Sequence, residues 1–211
     1  MNPSAFSWEL FAQAPIVGIV RHLPAETLYW LLPIYRRAGL TTVEITMNTA
    51  GAAEMIRAVR QQHPDGLNVG AGTVCTLAEL SDALAAGAQF IVTPVLRRTI
   101  VRACVERGIP VFLGAFTPTE IYRAWSLGAS MVKVYPGAAL GPGYIRDLKA
   151  PLSQIKLLPT GGIGLHNLAD FRRAGAEGVG VGSQLFDQPL IGRRDETALQ
   201  THFTRFVQAY P

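Results

Sequence analysis

Cysteines and charged residues are scarce in this sequence. Cys75 and Cys104 are the only cysteines among 211 residues, and charged residues make up 16% of the chain. Two cysteines whose spacing matches no disulfide framework exclude a disulfide-rich secreted scaffold. They are typical of reduced thiols in a cytoplasmic protein. The N-terminus has no basic segment followed by an apolar one, so no signal peptide is predicted. We therefore expect a cytoplasmic protein.

Long apolar runs and basic clusters are also missing. No apolar stretch approaches the roughly 18 residues that a membrane-spanning helix requires, so the sequence predicts no membrane segment. The net charge of +4 comes without a stripe of arginine and lysine, which argues against nucleic-acid binding. The diffuse positive charge instead favours a small anionic substrate.

Motifs for metals and common cofactors are absent as well. His22, His63, His166 and His202 show no close metal-ligand spacing, and no cysteine–histidine cluster occurs. No glycine-rich dinucleotide fingerprint follows the first apolar run, and no serine nucleophile elbow is found. The sequence therefore predicts a protein that needs neither a metal nor a cofactor.

Short apolar runs alternate with amphipathic helical segments along the chain. The runs predict eight strands, at Pro15–Val20, Thr41–Thr46, Leu67–Ala71, Phe90–Thr93, Ile109–Leu113, Met131–Tyr135, Ile155–Pro159 and Gly178–Gly182. The intervening segments predict helices at Ala25–Ala38, Ala50–Gln62, Leu77–Ala86, Arg97–Arg107 and Thr119–Ser126. This alternation and the chain length predict a single-domain (β/α)8 TIM barrel over residues 1–211. The predicted barrel also has a short N-terminal helix at Phe6–Gln13 and a last outer helix at Thr197–Tyr210. The alternative fold is an open doubly wound sheet.

Several predicted helices end in a glycine that leads directly into a strand. Four of these glycines, which we interpret as helix C-caps, are Gly39, Gly87, Gly128 and Gly175. The residues five positions further on are Glu44, Val92, Lys133 and Gly180. Alternate strands of a barrel contribute side chains to the same interior layer. We therefore expect Glu44 and Lys133 to point into one lumen, with Gly180 leaving space beside them.

Lys133 and Glu44 are charged residues within otherwise apolar strands. Burial disfavours the ammonium form of a lysine, and a neutral lysine is a nucleophile for carbonyl carbons that can form a Schiff base. A glutamate beside it could transfer protons. The alternatives are a lysine whose amine reaches water at the strand end and a structural salt bridge between the two.

Small and polar residues gather where the predicted strands end. Glycines follow the seventh strand and end the eighth, the two places where such barrels often hold a phosphate group. Thr73 supplies a hydroxyl after the third strand. Arg21 ends the first strand, where it could hold a carboxylate through paired donors or could be an exposed loop arginine.

In these features the chain resembles the class I aldolases that act on 2-keto-3-deoxy-6-phospho sugar acids. The motifs that carry the resemblance are Val43–Thr46, Gly70–Val74, Val92–Pro94, Val132–Pro136, Pro159–Gly162 and Gly182-Ser183. They occur in order over nearly the whole chain. The resemblance implies a homotrimer that binds pyruvate and a phosphorylated sugar acid and needs no metal.

The resemblance also implies a role for each matching residue. Lys133 would be the Schiff-base lysine and Glu44 the general acid/base. Thr73 would contact the pyruvate carboxylate, and Pro94 and Tyr135 would line the pyruvyl pocket. The residues that would hold the phosphate are Gly161, Gly162, Gly182 and Ser183.

Three positions bear on which C4 epimer of the substrate is used. Asn48 and Arg21 match the family members that act on the galactonate-derived substrate, whereas Thr160 matches those that act on the gluconate-derived one. We expect the galactonate-type activity, with the gluconate-type enzyme or dual specificity as the alternative. A phosphate-binding barrel isomerase or epimerase and a catalytically inactive sugar-phosphate binder also remain open.

Overall fold

The chain forms a barrel of parallel strands surrounded by helices. The computed structural model describes residues 5–210. The strands are β1 (Ile16–Val20), β2 (Thr42–Thr46), β3 (Asn68–Gly72), β4 (Ile91–Val92), β5 (Val111–Ala115), β6 (Met131–Val134), β7 (Leu157–Pro159) and β8 (Val179–Val181). The helices are α1 (Trp8–Gln13), α2 (Ala25–Arg37), α3 (Ala52–Gln62), α4 (Leu77–Ala85), α5 (Arg98–Glu106), α6 (Pro118–Ser126), α7 (Gly137–Lys149), α8 (Leu168–Arg173), α9 (Gln188–Gly192) and α10 (Glu196–Ala209).

The strands pair in sequence order and nearly close on themselves. The order is β7-β6-β5-β4-β3-β2-β1-β8, with every pair parallel. A single bridge between Thr160 and Gly180 joins the two ends of the sheet. The predicted TIM barrel with its N-terminal helix is therefore confirmed, and the open doubly wound sheet is wrong.

Local signals in the sequence set many of the helix ends. Thr76 and Thr117 each form a capping box with the glutamate three residues later, which satisfies free N–H groups at the starts of α4 and α6. The four glycines predicted to end helices all have φ between 91° and 97°. This left-handed conformation is accessible to glycine at little cost, so the predicted C-caps are confirmed.

An apolar cluster fills the end of the barrel from which the strands start. Its members are Phe6, Phe11, Val17, Phe90, Val92, Phe112, Met131 and Leu158, all buried. The rings of Phe6 and Phe90 meet edge to face at 5.2 Å, so the N-terminal segment plugs this end. With this end packed by apolar side chains, space for a ligand is left at the opposite end, where the strands finish.

The differences from the sequence prediction lie mainly at element ends and in the last third of the chain. Strand boundaries differ by one or two residues from those predicted. Helices α7 and α9 are not predicted from the sequence, and of α8 only the end at Gly175 is. Helix α7 contains Pro142 and a non-helical Gly141 (φ 73°, ψ 172°), which interrupt the helical pattern. Within residues 5–210, no helix combines the length and apolar character needed to cross a membrane.

Candidate active site

A lysine and a glutamate lie side by side inside the barrel. Lys133 is on β6 and Glu44 is on β2, with relative exposures of 3% and 1%. The distance between Lys133 Nζ and Glu44 Oε1 is 4.0 Å, longer than a hydrogen bond. Glu44 Oε1 has no hydrogen-bond partner among the described residues. A buried carboxylate oxygen without a partner is costly, so this site is not built for stability alone.

Glycines on neighbouring strands make room around this pair. A Cβ at Gly72 would lie 2.6 Å from Glu44 Oε1. Gly114 lies opposite Lys133 in the β5–β6 ladder, and a Cβ there would overlap the carbonyl group of Pro94. The absence of side chains at both glycines therefore lets the Glu44 carboxyl group and the Pro94 peptide lie close to the strands.

Burial sets the protonation of the pair. It lowers the pKa of Lys133, against the opposing effect of Glu44, and the positive charge of Arg21 lowers it further. Burial also raises the pKa of Glu44, while Lys133 and Arg21 oppose that rise. Both shifts favour a neutral amine beside a protonated carboxyl group. Such an amine is a nucleophile, and such a carboxyl group can donate a proton.

A pocket of about 340 Å³ opens at the end of the barrel where the strands finish, and neither Lys133 nor Glu44 lines it. The predicted site residues that line it are Arg21, Tyr135, Thr160, Gly161, Gly162, Gly182 and Ser183. Gly161 and Gly162 have φ of 92° and 71°, and a Cβ at Gly161 would lie 3.0 Å from the Tyr135 ring. In the second loop, a Cβ at Gly182 would have no heavy atom closer than 3.9 Å. The backbone of that loop is thus uncrowded, as a phosphate site requires.

Tyr135 connects the buried pair with this pocket. Its ring, 40% exposed, lines the pocket, and Lys133 Nζ lies 5.6 Å from the ring centroid. Arg21 also interacts with both the pocket and the buried pair, because it lines the pocket and its charge acts on Lys133 and Glu44. A ligand bound across the site could therefore reach the amine at one end and the glycine loops at the other.

Besides Lys133 and Glu44, three predicted residues lie at the same end of the barrel without lining this pocket. Thr73 directly follows β3 and has φ 55°, a rare conformation for a β-branched residue that is typical of functional sites. Pro94 follows β4, and its peptide packs against Gly114. Asn48 is exposed in the turn after β2.

The predicted lumen shared by Glu44 and Lys133 is confirmed, but Gly180 leaves no empty space, because the Thr160 side chain fills it.

Sequence reasoning missed several residues of the pocket. His22, Gln184 and Gln188 line it. His22 and Gln184 directly follow predicted site residues, which was the one available signal. For Gln188, at the start of the unpredicted helix α9, the sequence contained none.

In the part of the chain from residue 5 to residue 210, no group of three or more histidine, cysteine, aspartate or glutamate side chains could hold a metal ion.

Comparison with known proteins adds to this geometry. The family model described as KDPG and KHG aldolase matches residues 9–201. The 2-dehydro-3-deoxy-6-phosphogalactonate aldolase of Escherichia coli (strain K12) is 36% identical over 198 residues, which cover 93% of this chain and 94% of the relative. The 2-dehydro-3-deoxy-phosphogluconate aldolase of Treponema pallidum (strain Nichols) is 40% identical over 159 residues, which cover 72% of this chain and 75% of that one.

A solved structure agrees with these sequence relatives. The structure described as native KDPGal superposes with a TM-score of 0.85 at 32% identity, covering 93% of this chain and 94% of the other. The family match spans all eight strands and both candidate reactive residues. The chain therefore belongs to the KDPG and KHG aldolase family of lyases.

Proposed function

We propose that this protein is a class I aldolase that reversibly cleaves 2-dehydro-3-deoxy-6-phospho-D-galactonate to pyruvate and D-glyceraldehyde 3-phosphate. The observation that carries the proposal is the buried pair of Lys133 and Glu44. The Lys133 Nζ and Glu44 Oε1 atoms are 4.0 Å apart, and Glu44 Oε1 has no hydrogen-bond partner among the described residues. An amine kept neutral by burial next to a proton-carrying carboxyl group is what Schiff-base formation at a ketone requires.

The reaction follows from the two protonation states. The neutral Lys133 amine attacks the C2 carbonyl carbon, and Glu44 transfers protons as the carbinolamine loses water to become a protonated imine. Glu44 then accepts the C4 hydroxyl proton while the C3–C4 bond breaks, and the imine takes up the electron pair as an enamine. Glyceraldehyde 3-phosphate leaves, C3 is protonated, and hydrolysis of the imine releases pyruvate and restores the lysine.

The remaining predicted residues hold the two ends of the substrate. The glycine loops hold the phosphate through backbone N–H groups, and the uncrowded backbone at Gly182 and the pocket that both loops line support this assignment. Arg21 and Thr73 hold the carboxylate near Lys133, and Pro94 and Tyr135 enclose the pyruvyl group. The effect of the Arg21 charge on Lys133 supports this placement of its guanidinium group.

Arg21 and Asn48 favour the galactonate epimer. Asn48 is neutral, so the carboxylate needs a cation from another strand, and Arg21 at the end of β1 provides one. Thr160 favours the gluconate epimer, but its side chain is buried, and its Oγ1 donates to the Leu158 carbonyl at 3.2 Å. Relatives of both kinds are found. The second candidate is therefore a gluconate-type or dual-specificity aldolase, which assays of both epimers distinguish.

The assembly and location are part of the same proposal. We infer a cytoplasmic homotrimer, as the family resemblance implies. Exposed apolar side chains after two neighbouring strands, Val95 at 51% and Phe116 at 40%, support a surface that another subunit covers. Light scattering after size-exclusion chromatography tests the trimer.

Borohydride reduction in the presence of pyruvate tests the aldolase itself. The chain has three lysines, Lys133, Lys149 and Lys156, so peptide mass spectrometry assigns the adduct without ambiguity. We expect the pyruvate adduct on Lys133, and no adduct or cleavage with Lys133→Ala or Lys133→Arg. The matched control is Lys156→Ala, which removes an exposed lysine and should behave like the wild type.

The same experiment separates the rival functions. An isomerase or epimerase would turn over a sugar phosphate without a reducible adduct. An inactive binder would bind one without turnover. Either result, or cleavage that survives in both Lys133 variants with native melting curves, would contradict the Schiff-base role.

A further inference from the structure

Two buried threonines tie the turn after β1 to the turn after β2. The backbone N–H of His22 donates to Thr49 Oγ1 at 3.0 Å, across 27 residues of sequence. The hydroxyls of Thr49 and Thr46 lie 3.0 Å apart, and either can donate. Thr49 is 6% exposed and Thr46 is fully buried. The two turns are therefore joined by a short hydrogen-bonded chain that runs from the partly buried bond at His22 to the buried Thr46 hydroxyl.

The turn that this chain holds is strained. His22 has φ 52°, in the left-handed region that residues other than glycine seldom adopt. Such a conformation persists only where surrounding contacts hold it. The hydrogen bond from His22 N–H to Thr49 is such a contact, and the side chain of Thr49 is the link between the strained turn and β2.

The sequence positions of the linked residues connect this contact with the substrate. His22 directly follows Arg21, and Thr49 directly follows Asn48. The hydrogen bond therefore fixes the backbone of Arg21 relative to that of Asn48. Arg21 acts electrostatically on both Lys133 and Glu44, so its placement matters to the reacting end of the site.

We propose that Thr49 is a positioning residue that sets the distance between Arg21 and Asn48 and thereby the epimer preference of the enzyme. The proposal rests on the aldolase function proposed above. Thr49 itself contacts no substrate. It acts through the turn that holds Arg21 at the carboxylate and through the turn after β2 that carries Asn48.

The test compares Thr49→Val and Thr49→Ala with Thr49→Ser and with a matched control. Thr41→Val is the control, because Thr41 is also a buried threonine with a hydrogen bond, to the Leu10 carbonyl at the closed end of the barrel. Without the hydroxyl at position 49, the pyruvate concentration for half-maximal borohydride trapping should rise about three- to tenfold, because one hydrogen bond that holds the Arg21 turn is lost. The ratio of kcat/KM for the two epimers should move toward one.

The controls separate positioning from stability. Thr49→Ser keeps the hydroxyl and should keep the wild-type ratio, and Thr41→Val should lower the melting temperature without changing the ratio. In an Arg21→Ala background, Thr49→Val should have little further effect on pyruvate binding, because the group that it positions is gone. Additive effects in this double variant would overturn the proposal.

A wild-type epimer ratio and wild-type pyruvate trapping in both Thr49→Val and Thr49→Ala would also overturn it. Thr49→Ala removes the same hydroxyl with a smaller side chain, so the ratio and the trapping are measured on it if the valine variant does not fold. Failure of the proposed function looks different, because the wild-type protein would then form no pyruvate adduct at all.

Discussion

Gly72 leaves room for the carboxyl group of Glu44. The two residues lie on the adjacent strands β3 and β2, and a Cβ at position 72 would lie 2.6 Å from Glu44 Oε1. A real Cβ does not approach an oxygen atom so closely, so the carboxyl group could not stay where it is if Gly72 carried a side chain. The position of Glu44 beside Lys133 thus depends on a residue without a side chain of its own.

Gly72→Ala should lower kcat by up to about a hundredfold, because displacing a catalytic group by about 1 Å can have an effect of that size. The measurement is steady-state cleavage, with thermal melting to check the fold. Gly192→Ala is the matched control, because a Cβ there has no heavy atom within 4 Å. Wild-type kcat in the Gly72 variant would contradict the proposed role of the Glu44 carboxyl group.

The reactivity of Lys133 should shift with pH in opposite directions in two variants. The amine reacts when deprotonated, so the trapping rate rises as pH passes the Lys133 pKa. Burial lowers that pKa, Glu44 opposes this effect when its carboxyl group is ionised, and the charge of Arg21 lowers the pKa further. Glu44→Gln should therefore move the midpoint of the pH–rate curve to lower pH, and Arg21→Ala should move it to higher pH.

The midpoint in this experiment is read from initial rates of pyruvate trapping over a pH series, normalised for each variant. Normalisation matters because Glu44→Gln also slows proton transfer. Arg205→Ala, on the outer helix α10, serves as a charge-matched control that should leave the midpoint in place. Shifts of the same sign in Glu44→Gln and Arg21→Ala would be inconsistent with the described electrostatics.

Arg21→Ala should also weaken the binding of pyruvate and substrate about ten- to a hundredfold, the loss of a charge-assisted hydrogen-bonded pair. Adding Asn48→Arg should restore part of the loss by supplying the cation from β2. Inhibition by inorganic phosphate, measured in parallel, identifies which end of the substrate Arg21 holds, because this residue also lines the pocket of the glycine loops. If only phosphate inhibition weakens, Arg21 does not hold the carboxylate.

Chelators should leave the cleavage rate unchanged. In the proposed mechanism the protonated imine accepts the electron pair from the C3–C4 bond, which is the task that a metal ion performs in other aldolases. The measurement is turnover before and after prolonged dialysis against EDTA. A large loss of activity that added divalent metal reverses would overturn the Schiff-base mechanism.

Much of the fold could be predicted from the sequence because its signals are local. Short apolar runs mark the strands, and the glycines at Gly39, Gly87, Gly128 and Gly175 mark helix ends, since each signal depends on a few consecutive residues. Lys133 and Glu44 were detectable for the same reason: a charge in an apolar strand stands out. The kinked helix α7 escaped prediction because Gly141 and Pro142 resemble a loop locally.

Only the tertiary structure decided how close these residues lie and what surrounds them. The 4.0 Å between Lys133 and Glu44, the room left by Gly72, and the contact of Thr49 with the His22 turn each join separate strands or turns. Such distances depend on the stagger and tilt of the closed barrel, to which all the strands contribute. The sequence alone therefore determined which residues are chemically unusual, and barrel closure decided which of them meet.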